Sequence, residues 1–193
     1  MSNTRGAELL RSINKKIIGR AAISEPEAEL IVKYTKDSGI HYEIGCLWGG
    51  TTLLALLAGA SRVHTVDMMK GGFWDTGDPA VGLRTPSAKI ILQNFTNFGV
   101  SHRVSIYSCK SHPLPMPTHL RPETAFIDGG HTYKVAHQDW LNLKDITRRY
   151  ILFHDWQRSH QPVQDLIENV VMKDEGWTLV ERARTVGVFQ RNA

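Results

Sequence analysis

The feature that most constrains the fold is a regular alternation, from residue 40 onward, between short strand-like runs and longer segments of helical periodicity. Seven strands are predicted, at residues 41–45, 62–67, 103–108, 124–128, 150–155, 177–183 and 186–190. The first five are separated by helices or long connections, as parallel strands require, whereas the last two are close enough to form a hairpin. The sequence therefore predicts an α/β fold with a doubly wound, seven-stranded, mostly parallel sheet and a C-terminal antiparallel hairpin.

Two helices are predicted ahead of the sheet. The first lies within residues 1–20, and the second begins at a capping box formed by Ser24 and Glu27 and ends near Gly39, whose flexible backbone suits a left-handed exit. Later helices are predicted at residues 51–60, from Thr85 and Pro86 to Gly99, at 132–145 and at 163–171. We expect an N-terminal helical segment, residues 1–39, packed on one domain formed by residues 40–193.

Composition and charge exclude several classes of protein. The 193 residues are 41% apolar and 22% charged, which is typical of a globular chain. No apolar run approaches the roughly 18 residues that a membrane span needs, and the N-terminus lacks the apolar centre of a secretory signal. Cys46 and Cys109 are too few for a disulfide framework, so we expect a cytoplasmic protein. The net charge of +4 is dispersed, which argues against a nucleic-acid partner.

The end of the first predicted strand carries a glycine-rich turn, EIGCLWGGTT, in which Gly45 and Gly49 let the backbone approach a ligand closely. Leu47 stands where a dinucleotide-binding motif has its second glycine, which disfavours a pyrophosphate. Asp67 ends the second strand, 22 residues after Gly45, where a carboxylate can accept hydrogen bonds from both ribose hydroxyls. Because ligands of open α/β sheets bind beyond the carboxyl ends of the strands, these two features predict a nucleoside ligand.

Polar side chains also follow the fourth and fifth predicted strands. The segment FIDGGHTY supplies Asp128 and His131, and FHDW supplies His154 and Asp155. Strand ends of a parallel sheet meet at one edge, so we expect these four groups to form a catalytic cluster. Binding of a ligand without a reaction would not require such a cluster.

The segments EIGCLWGGTT, the VD that ends at Asp67, FIDGGHTY and ILFHDW together resemble the class I methyltransferases that use S-adenosylmethionine (SAM). They are most similar to the branch that often acts on small molecules and sugars of natural products, and the resemblance covers residues 40–190. It implies a Rossmann-like fold, SAM as the cofactor, and methyl transfer to a hydroxyl of a small-molecule acceptor.

The resemblance also implies positions for the cofactor. Glu43, Gly45 and Gly49 would cradle its amino acid part, Asp67 would hold the ribose, and the residues after the third strand would lie near the adenine. Many relatives have an acidic residue after that strand, where this chain has Ser-Cys-Lys. The residues expected to contact the cofactor are Glu43, Gly45, Cys46, Trp48, Gly49, Thr51, Asp67, Met68, Ser108, Cys109, Asp128 and Gly129.

A hydroxyl acceptor must lose a proton, and histidine suits that role because its ordinary pKa lies near neutrality. His154 and His131 are the candidate bases, with Asp155 as a further catalytic residue, and His154 is preferred because it follows a strand directly. An alternative is that Asp128, His154 and Asp155 bind a divalent metal, Mg²⁺ or Mn²⁺, that lowers the pKa of the acceptor.

Other functions and assemblies stay open at this stage. An RNA or protein methyltransferase is one alternative, although the chain has no basic stripe and no Asn/Asp-Pro-Pro-Tyr/Phe motif. A non-catalytic module that binds SAM or another nucleoside is another. Relatives in the family often form dimers or larger assemblies, so a homo-oligomer stays an alternative to a monomer. We expect neither a membrane nor a nucleic-acid partner.

Overall fold

The computed structural model describes residues 5–69, 86–117 and 119–192. The described helices are α1 (Arg5–Lys16), α2 (Glu25–Thr35), α3 (Gly50–Ala58), α4 (Ala88–Asn97), α5 (Tyr133–Lys144) and α6 (Gln161–Asn169). The strands are β1 (Ile40–Ile44), β2 (Arg62–Val66), β3 (Val104–Tyr107), β4 (Thr124–Ile127), β5 (Tyr150–Phe153), β6 (Trp177–Ala183) and β7 (Val186–Arg191).

The strands form one seven-stranded sheet in the order β3-β2-β1-β4-β5-β7-β6. Strands β1 to β5 are parallel, and β7 runs antiparallel between β5 and β6. The predicted α/β fold, with its mostly parallel sheet and terminal hairpin, is therefore confirmed. The strand order reverses between β1 and β4, which is the point where open α/β sheets bind their ligands.

The register brings the carboxyl ends of four strands together. Ile44 of β1 pairs with Val66 of β2 on one side and with Ile127 of β4 on the other, and Ile127 pairs with Phe153 of β5. The residues that follow these strands therefore lie along one edge, where the predicted site residues were expected.

The sheet is covered on both faces, as a parallel sheet requires. Phe126 and Leu152 point into a core formed with α1, α2, α3 and α4. Their neighbours Ile127 and Phe153 point to the opposite face, into a core formed with α5 and α6. This alternation of burial along each strand follows from the two-residue period of side chains in a β-strand.

The N-terminal helices and the chain between them pack against α3 and the C-terminal hairpin. A β-carbon on Gly50, at the start of α3, would lie 2.4 Å from the Cβ of Ala21, so the chain between α1 and α2 sits directly against α3. The Glu27 carboxylate accepts hydrogen bonds from the backbone N–H (3.0 Å) and hydroxyl (2.6 Å) of Thr185, in the turn before β7. The first contact holds the chain between α1 and α2 against α3, and the second holds α2 against the turn between β6 and β7.

Two predicted helix boundaries were wrong. The left-handed residue after α2 is Asp37 (φ 53°) and not Gly39, because the turn begins directly after the helix ends at Thr35. Helix α4 begins at Ala88 and not at Pro86, since the Ser87 hydroxyl accepts the backbone N–H of Ile90 and caps the helix.

Two further predictions concern the chain that follows β2 and the last helix. The glycine-rich residues 68–84 predict a long loop of the kind that often acts as a functional lid, and most of them lie outside the described residues. The last helix, predicted to reach residue 171, ends at Asn169 and is followed by a short 3-10 turn. Within the described residues, no helix is both long enough and apolar enough to cross a membrane.

Candidate functional site

The site lies at the switch point, where the turn after β1 meets the turn after β4. A β-carbon on Gly45 would lie 1.8 Å from the carbonyl oxygen of Asp128, and Gly45 has φ +85°, a conformation that glycine adopts without strain. The backbone N–H of Gly45 bonds to Val66 (2.9 Å), and that of Asp128 bonds to Ile44 (2.8 Å). The sheet ladder therefore continues one residue past the strands and fixes both turns against each other.

Asp67 holds the glycine-rich turn in place. One of its carboxylate oxygens accepts the backbone N–H groups of Cys46 and Leu47, each at 3.0 Å, and the other accepts the N–H of Met69 at 2.7 Å. Leu47 has φ +48°, so part of the backbone strain in this turn is offset by these charge-assisted bonds. Asp67 therefore connects the end of β2 to the turn that follows β1.

A first pocket, with about 270 Å³ of empty volume, opens beside this turn. It lies between the chain that links α1 to α2 and the turn after β1, and it reaches Asp128. Arg20, an exposed residue that no sequence motif indicated, also lines this pocket. The described residues that line it are Arg20, Ala21, Ala22, Ile23, Gly45, Cys46, Leu47, Trp48, Gly50, Thr51 and Asp128.

Five of the expected cofactor-binding residues line this first pocket: Gly45, Cys46, Trp48, Thr51 and Asp128. Cys46 and Trp48 are themselves almost fully buried.

Trp48 and Gly49 also hold the glycine-rich turn in place through contacts with Gly19 and α4. The Trp48 ring packs under Gly19, and its carbonyl accepts the side-chain amide of Asn94 at 2.9 Å. Gly49 caps α3 with φ +81°, and a β-carbon there would lie 2.6 Å from the ring of Phe95.

Glu43 occupies a different place from the one that a ligand contact would require. Its carboxylate is buried in the core below the turn and accepts hydrogen bonds from the hydroxyls of Thr51, Thr52 and Thr65. Burial raises the pKa of Glu43 to about 7, although the three hydroxyls oppose this shift. Glu43 therefore supports the first turn of α3 from beneath.

The remaining expected residues lie further from the first pocket. Met68 is 51% exposed, and Ser108 and Cys109 are exposed after β3. Within the part of the chain that the structure describes, these three residues line neither of the two pockets. Gly129 lies in the second pocket, where a β-carbon would come within 2.9 Å of Ile44.

The second pocket has about 220 Å³ of empty volume and adjoins the first, because Asp128 lines both. It contains all the predicted catalytic residues, which β4 and β5 bring to the same edge. Its lining residues are Ile127, Asp128, Gly129, Gly130, His131, Ala136, Phe153, His154, Asp155 and Val163.

Two histidine–carboxylate pairs define the chemistry of this second pocket. His154 Nδ1 lies 3.0 Å from Asp128 Oδ1 and 3.4 Å from Asp155 Oδ1. His131 Nε2 lies 2.9 Å from Asp155 Oδ2. Asp155 has φ +59°, a left-handed conformation that aspartate tolerates better than most residues, and this backbone directs its carboxylate between the histidines.

The charged groups of this cluster shift one another's pKa values. Burial alone would lower the pKa of His154, but the Asp128 and Asp155 carboxylates outweigh it and raise that pKa to about 11. The hydrogen bond to Asp155 raises the pKa of His131. Burial opposes a low pKa for Asp155, yet both histidines hold it well below its usual range. Without a metal, His154 therefore carries a proton at neutral pH.

The same side chains form two groups with metal-ligand spacing. One ligand atom from each of Asp128, His154 and Asp155 lies within 4.8 Å of the others, as the sequence suggested. A second group, which the sequence analysis missed, consists of His131, Asp155 and His160. His160 lies five residues after Asp155 and directly precedes α6, so its spacing in the sequence was the available signal.

No protein-family model matches the sequence, and no curated protein matches it either. Solved structures do match. The O-methyltransferase TomG from Streptomyces achromogenes, solved in complex with SAM, has a TM-score of 0.67 and 14% identity, with 100% of this chain and 93% of that chain covered. An O-methyltransferase from Bacillus cereus, in complex with S-adenosylhomocysteine (SAH), has a TM-score of 0.64 and 15% identity, with 95% and 88% covered.

A proposed RNA methyltransferase from Pyrococcus horikoshii has a TM-score of 0.66 and 14% identity, with 97% of this chain and 96% of that chain covered. At these identities the similarity concerns the fold. The chain therefore has the α/β fold found in methyltransferases of several kinds, and what it binds must be argued from its own site.

Proposed function

We propose that this chain is a SAM-dependent O-methyltransferase that acts on a hydroxyl group of a small molecule, such as a sugar or another natural product. The observation that carries the proposal is the adjacency of two pockets at the switch point, joined at Asp128. One is bounded by the glycine-rich turn, and the other contains two histidine–carboxylate pairs. This places the crevice beside the glycine-rich turn next to groups that can move a proton.

The residues around the first pocket fit SAM. Its amino acid part carries a carboxylate and an ammonium group, and the residues that line the pocket include one cation, Arg20, and one anion, Asp128. The start of α3 adds backbone N–H groups that have no partner within the helix. Asp67 follows β2, where its carboxylate can accept one ribose hydroxyl with the lone pair that the turn does not use. The methyltransferases of similar fold that were solved with SAM or SAH support this assignment.

When bound, SAM supplies a methyl group that its sulfonium activates for in-line displacement. The chain then has two tasks, to orient the acceptor and to accept its proton. Orientation of two reactants is worth up to about 7–11 kcal/mol. The second pocket adjoins the first at Asp128, so an acceptor hydroxyl bound there would lie beside the cofactor.

We assign His131 as the base. The Asp155 carboxylate, 2.9 Å from Nε2, fixes the orientation of the His131 ring and would stabilise the imidazolium that forms when the ring takes a proton. His154, the base preferred from the sequence, lies between two carboxylates and serves to neutralise them. His131 would accept the proton that the acceptor hydroxyl loses when it is methylated.

Asp128, His154 and Asp155 could also hold a divalent metal, since two carboxylates and one imidazole suit Mn²⁺ better than Mg²⁺. Such an ion would lower the pKa of the acceptor hydroxyl.

Calorimetric titration with SAH tests the cofactor assignment. Wild-type protein is expected to bind SAH, and Asp67→Ala is expected to bind it at least about tenfold more weakly, since a hydrogen bond to a charged group contributes roughly 1.5–3 kcal/mol. Asp165→Ala, in the exposed side of α6, is the matched control. Absence of SAH binding in the folded wild-type protein would overturn the proposal.

Acceptor class is tested next by methyl transfer from radiolabelled SAM to panels of hydroxylated sugars, phenols and bulk RNA. Label in a small hydroxylated acceptor supports the proposal. Transfer to RNA alone would instead assign the chain to the class of the P. horikoshii protein.

A further inference from the structure

The Asp155 carboxylate contacts three imidazole rings, whereas an ion pair requires only one. Besides His131 and His154, the Nδ1 atom of His160 lies 3.4 Å from its Oδ1. The rings of His131 and His160 meet edge to face, with their centroids 4.5 Å apart. Asp155 thus contacts His131 through Oδ2 and contacts both His154 and His160 through Oδ1. One ligand atom from each of His131, Asp155 and His160 lies within 4.8 Å of the others.

The spacing of these atoms is that of ligands around a small ion. A tetrahedral ion with bonds of about 2.0–2.1 Å places neighbouring ligand atoms about 3.4 Å apart. The observed separations are 2.9 Å between His131 Nε2 and Asp155 Oδ2, and 3.4 Å between His160 Nδ1 and Asp155 Oδ1. Each imidazole therefore lies at about ligand spacing from one of the two oxygens of Asp155.

We propose that His131, Asp155 and His160 form a binding site for a divalent transition metal of the zinc class. The set of two histidines and one carboxylate is one that zinc uses when a fourth position is left open for water or substrate. The side chains are partly exposed, 18% for His131 and 27% for His160, so an ion can reach them from solvent.

The ligand chemistry separates this site from the neighbouring group of Asp128, His154 and Asp155. The two share only Asp155, and the proposed site has two nitrogen ligands where the other has one. Nitrogen-rich sets favour zinc, copper or nickel, whereas oxygen-rich sets favour magnesium and manganese. The proposed site therefore discriminates against Mg²⁺.

The site has a consequence for catalysis, which rests on the proposed function. An ion bound to His131 would prevent that ring from taking the proton of the acceptor hydroxyl. Zinc is thus expected to inhibit methyl transfer, and a chelator is expected to restore it.

Metal binding itself is tested without SAM or an acceptor. The full chain, freed of metal with a chelator, is titrated with Co²⁺, whose visible absorption reports a tetrahedral site, and the dissociation constant of Zn²⁺ is measured by competition with a chelating dye. The wild-type protein is expected to bind one ion with tetrahedral Co²⁺ absorption, and Mg²⁺ in excess is expected not to displace it.

Three variants identify the ligands. His160→Gln is expected to weaken Zn²⁺ binding about 100-fold or more, because loss of a group that merely supports a ligand already costs about 10- to 100-fold. Asp128→Asn is expected to keep the dissociation constant within about threefold, and His119→Gln, which alters an exposed histidine elsewhere, serves as the control.

The proposal is overturned if the wild-type chain binds no zinc, if His160→Gln binds it as wild type does, or if Asp128→Asn loses it equally. Circular dichroism of each variant in chelator establishes that it is folded. Should SAH fail to bind in a separate titration, the proposed function falls while the metal site keeps its own test.

Discussion

The carbonyl oxygen of Asp128 occupies the space that a side chain on Gly45 would need, with only 1.8 Å between that oxygen and an ideal β-carbon. This contact joins the turns after β1 and β4, and both candidate pockets open beside it. The oxygen belongs to the backbone, so it cannot move aside as the end of a flexible side chain could.

Gly45→Ala is therefore expected to destabilise the fold strongly and to abolish SAH binding. A left-handed backbone costs a non-glycine residue about 1–2 kcal/mol, and the collision adds roughly 1–3 kcal/mol. Denaturant unfolding measures the loss in the free energy of unfolding.

Gly99→Ala is the matched control for Gly45→Ala. Gly99 also has a positive φ, +70°, but no atom lies within 4 Å of its ideal β-carbon. The free energy of unfolding of Gly99→Ala is therefore expected to fall only by the cost of the left-handed backbone, about 1–2 kcal/mol. If the two variants lose the same free energy of unfolding, the close contact between Gly45 and the Asp128 carbonyl oxygen contributes nothing to stability.

Arg20 provides a second test of the first pocket. Arg20→Ala is expected to weaken SAH binding about 5- to 10-fold, because an exposed guanidinium can pair with the carboxylate of the ligand but is screened by water. The effect should shrink as salt is raised. Calorimetry at two ionic strengths measures it.

Arg121→Ala removes a similar exposed charge outside both pockets and is the control for Arg20→Ala. Arg20→Lys is expected to recover part of the affinity. If both alanine variants bind SAH equally well, Arg20 has no part in the cofactor site.

Much of this site could be predicted from the sequence because strand ends of a parallel sheet are neighbours. Once β1, β4 and β5 are recognised from their apolar periodicity, Asp128, His131, His154 and Asp155 must lie at one edge. The structure brings these four together as expected.

Arg20 and His160 could not be predicted in the same way. Arg20 reaches the first pocket only because the chain between α1 and α2 packs against Gly50, a tertiary contact that no local pattern encodes. His160 reaches Asp155 through a loop and a short 3-10 turn, which have no periodicity to read. Glu43 shows the opposite case. The motif that contains it could be recognised in the sequence, but its hydrogen bonds to three threonine hydroxyls could not be predicted.

Glu43 gives a prediction about pH and stability. Its pKa is raised by burial to about 7, so folding takes up a proton on this carboxyl between its ordinary pKa of 4.5 and pH 7. Stability from this group is thus present at low pH and is lost as pH rises through that window, by on the order of 2–3 kcal/mol.

Glu43→Gln is expected to remove this slope. The free energy of unfolding of both proteins, measured by denaturant between about pH 5 and pH 8, should converge at low pH and separate at high pH. Asp139, whose pKa burial also raises to about 7, contributes equally to both proteins and cancels in the difference. Parallel curves would contradict a buried, proton-binding Glu43.

The assignment of the base is decided by comparing His131 with His154. His131→Ala is expected to lower kcat by about 10²- to 10⁴-fold, the usual contribution of a general base, with the affinity for SAH nearly unchanged. The wild-type rate should rise with pH through the pKa of His131. Because the hydrogen bond to Asp155 raises that pKa, the rise should be centred above about pH 6.5.

His131→Ala should lose this acidic limb of the pH–rate profile, and added imidazole should restore part of the rate. His154→Ala is expected to impair turnover by leaving Asp128 and Asp155 without the imidazolium between them, yet to keep the limb. His119→Ala controls for loss of an exposed histidine. If the limb disappears in His154→Ala and persists in His131→Ala, the base is His154, as its position directly after β5 first suggested, and the proton must leave through that ring.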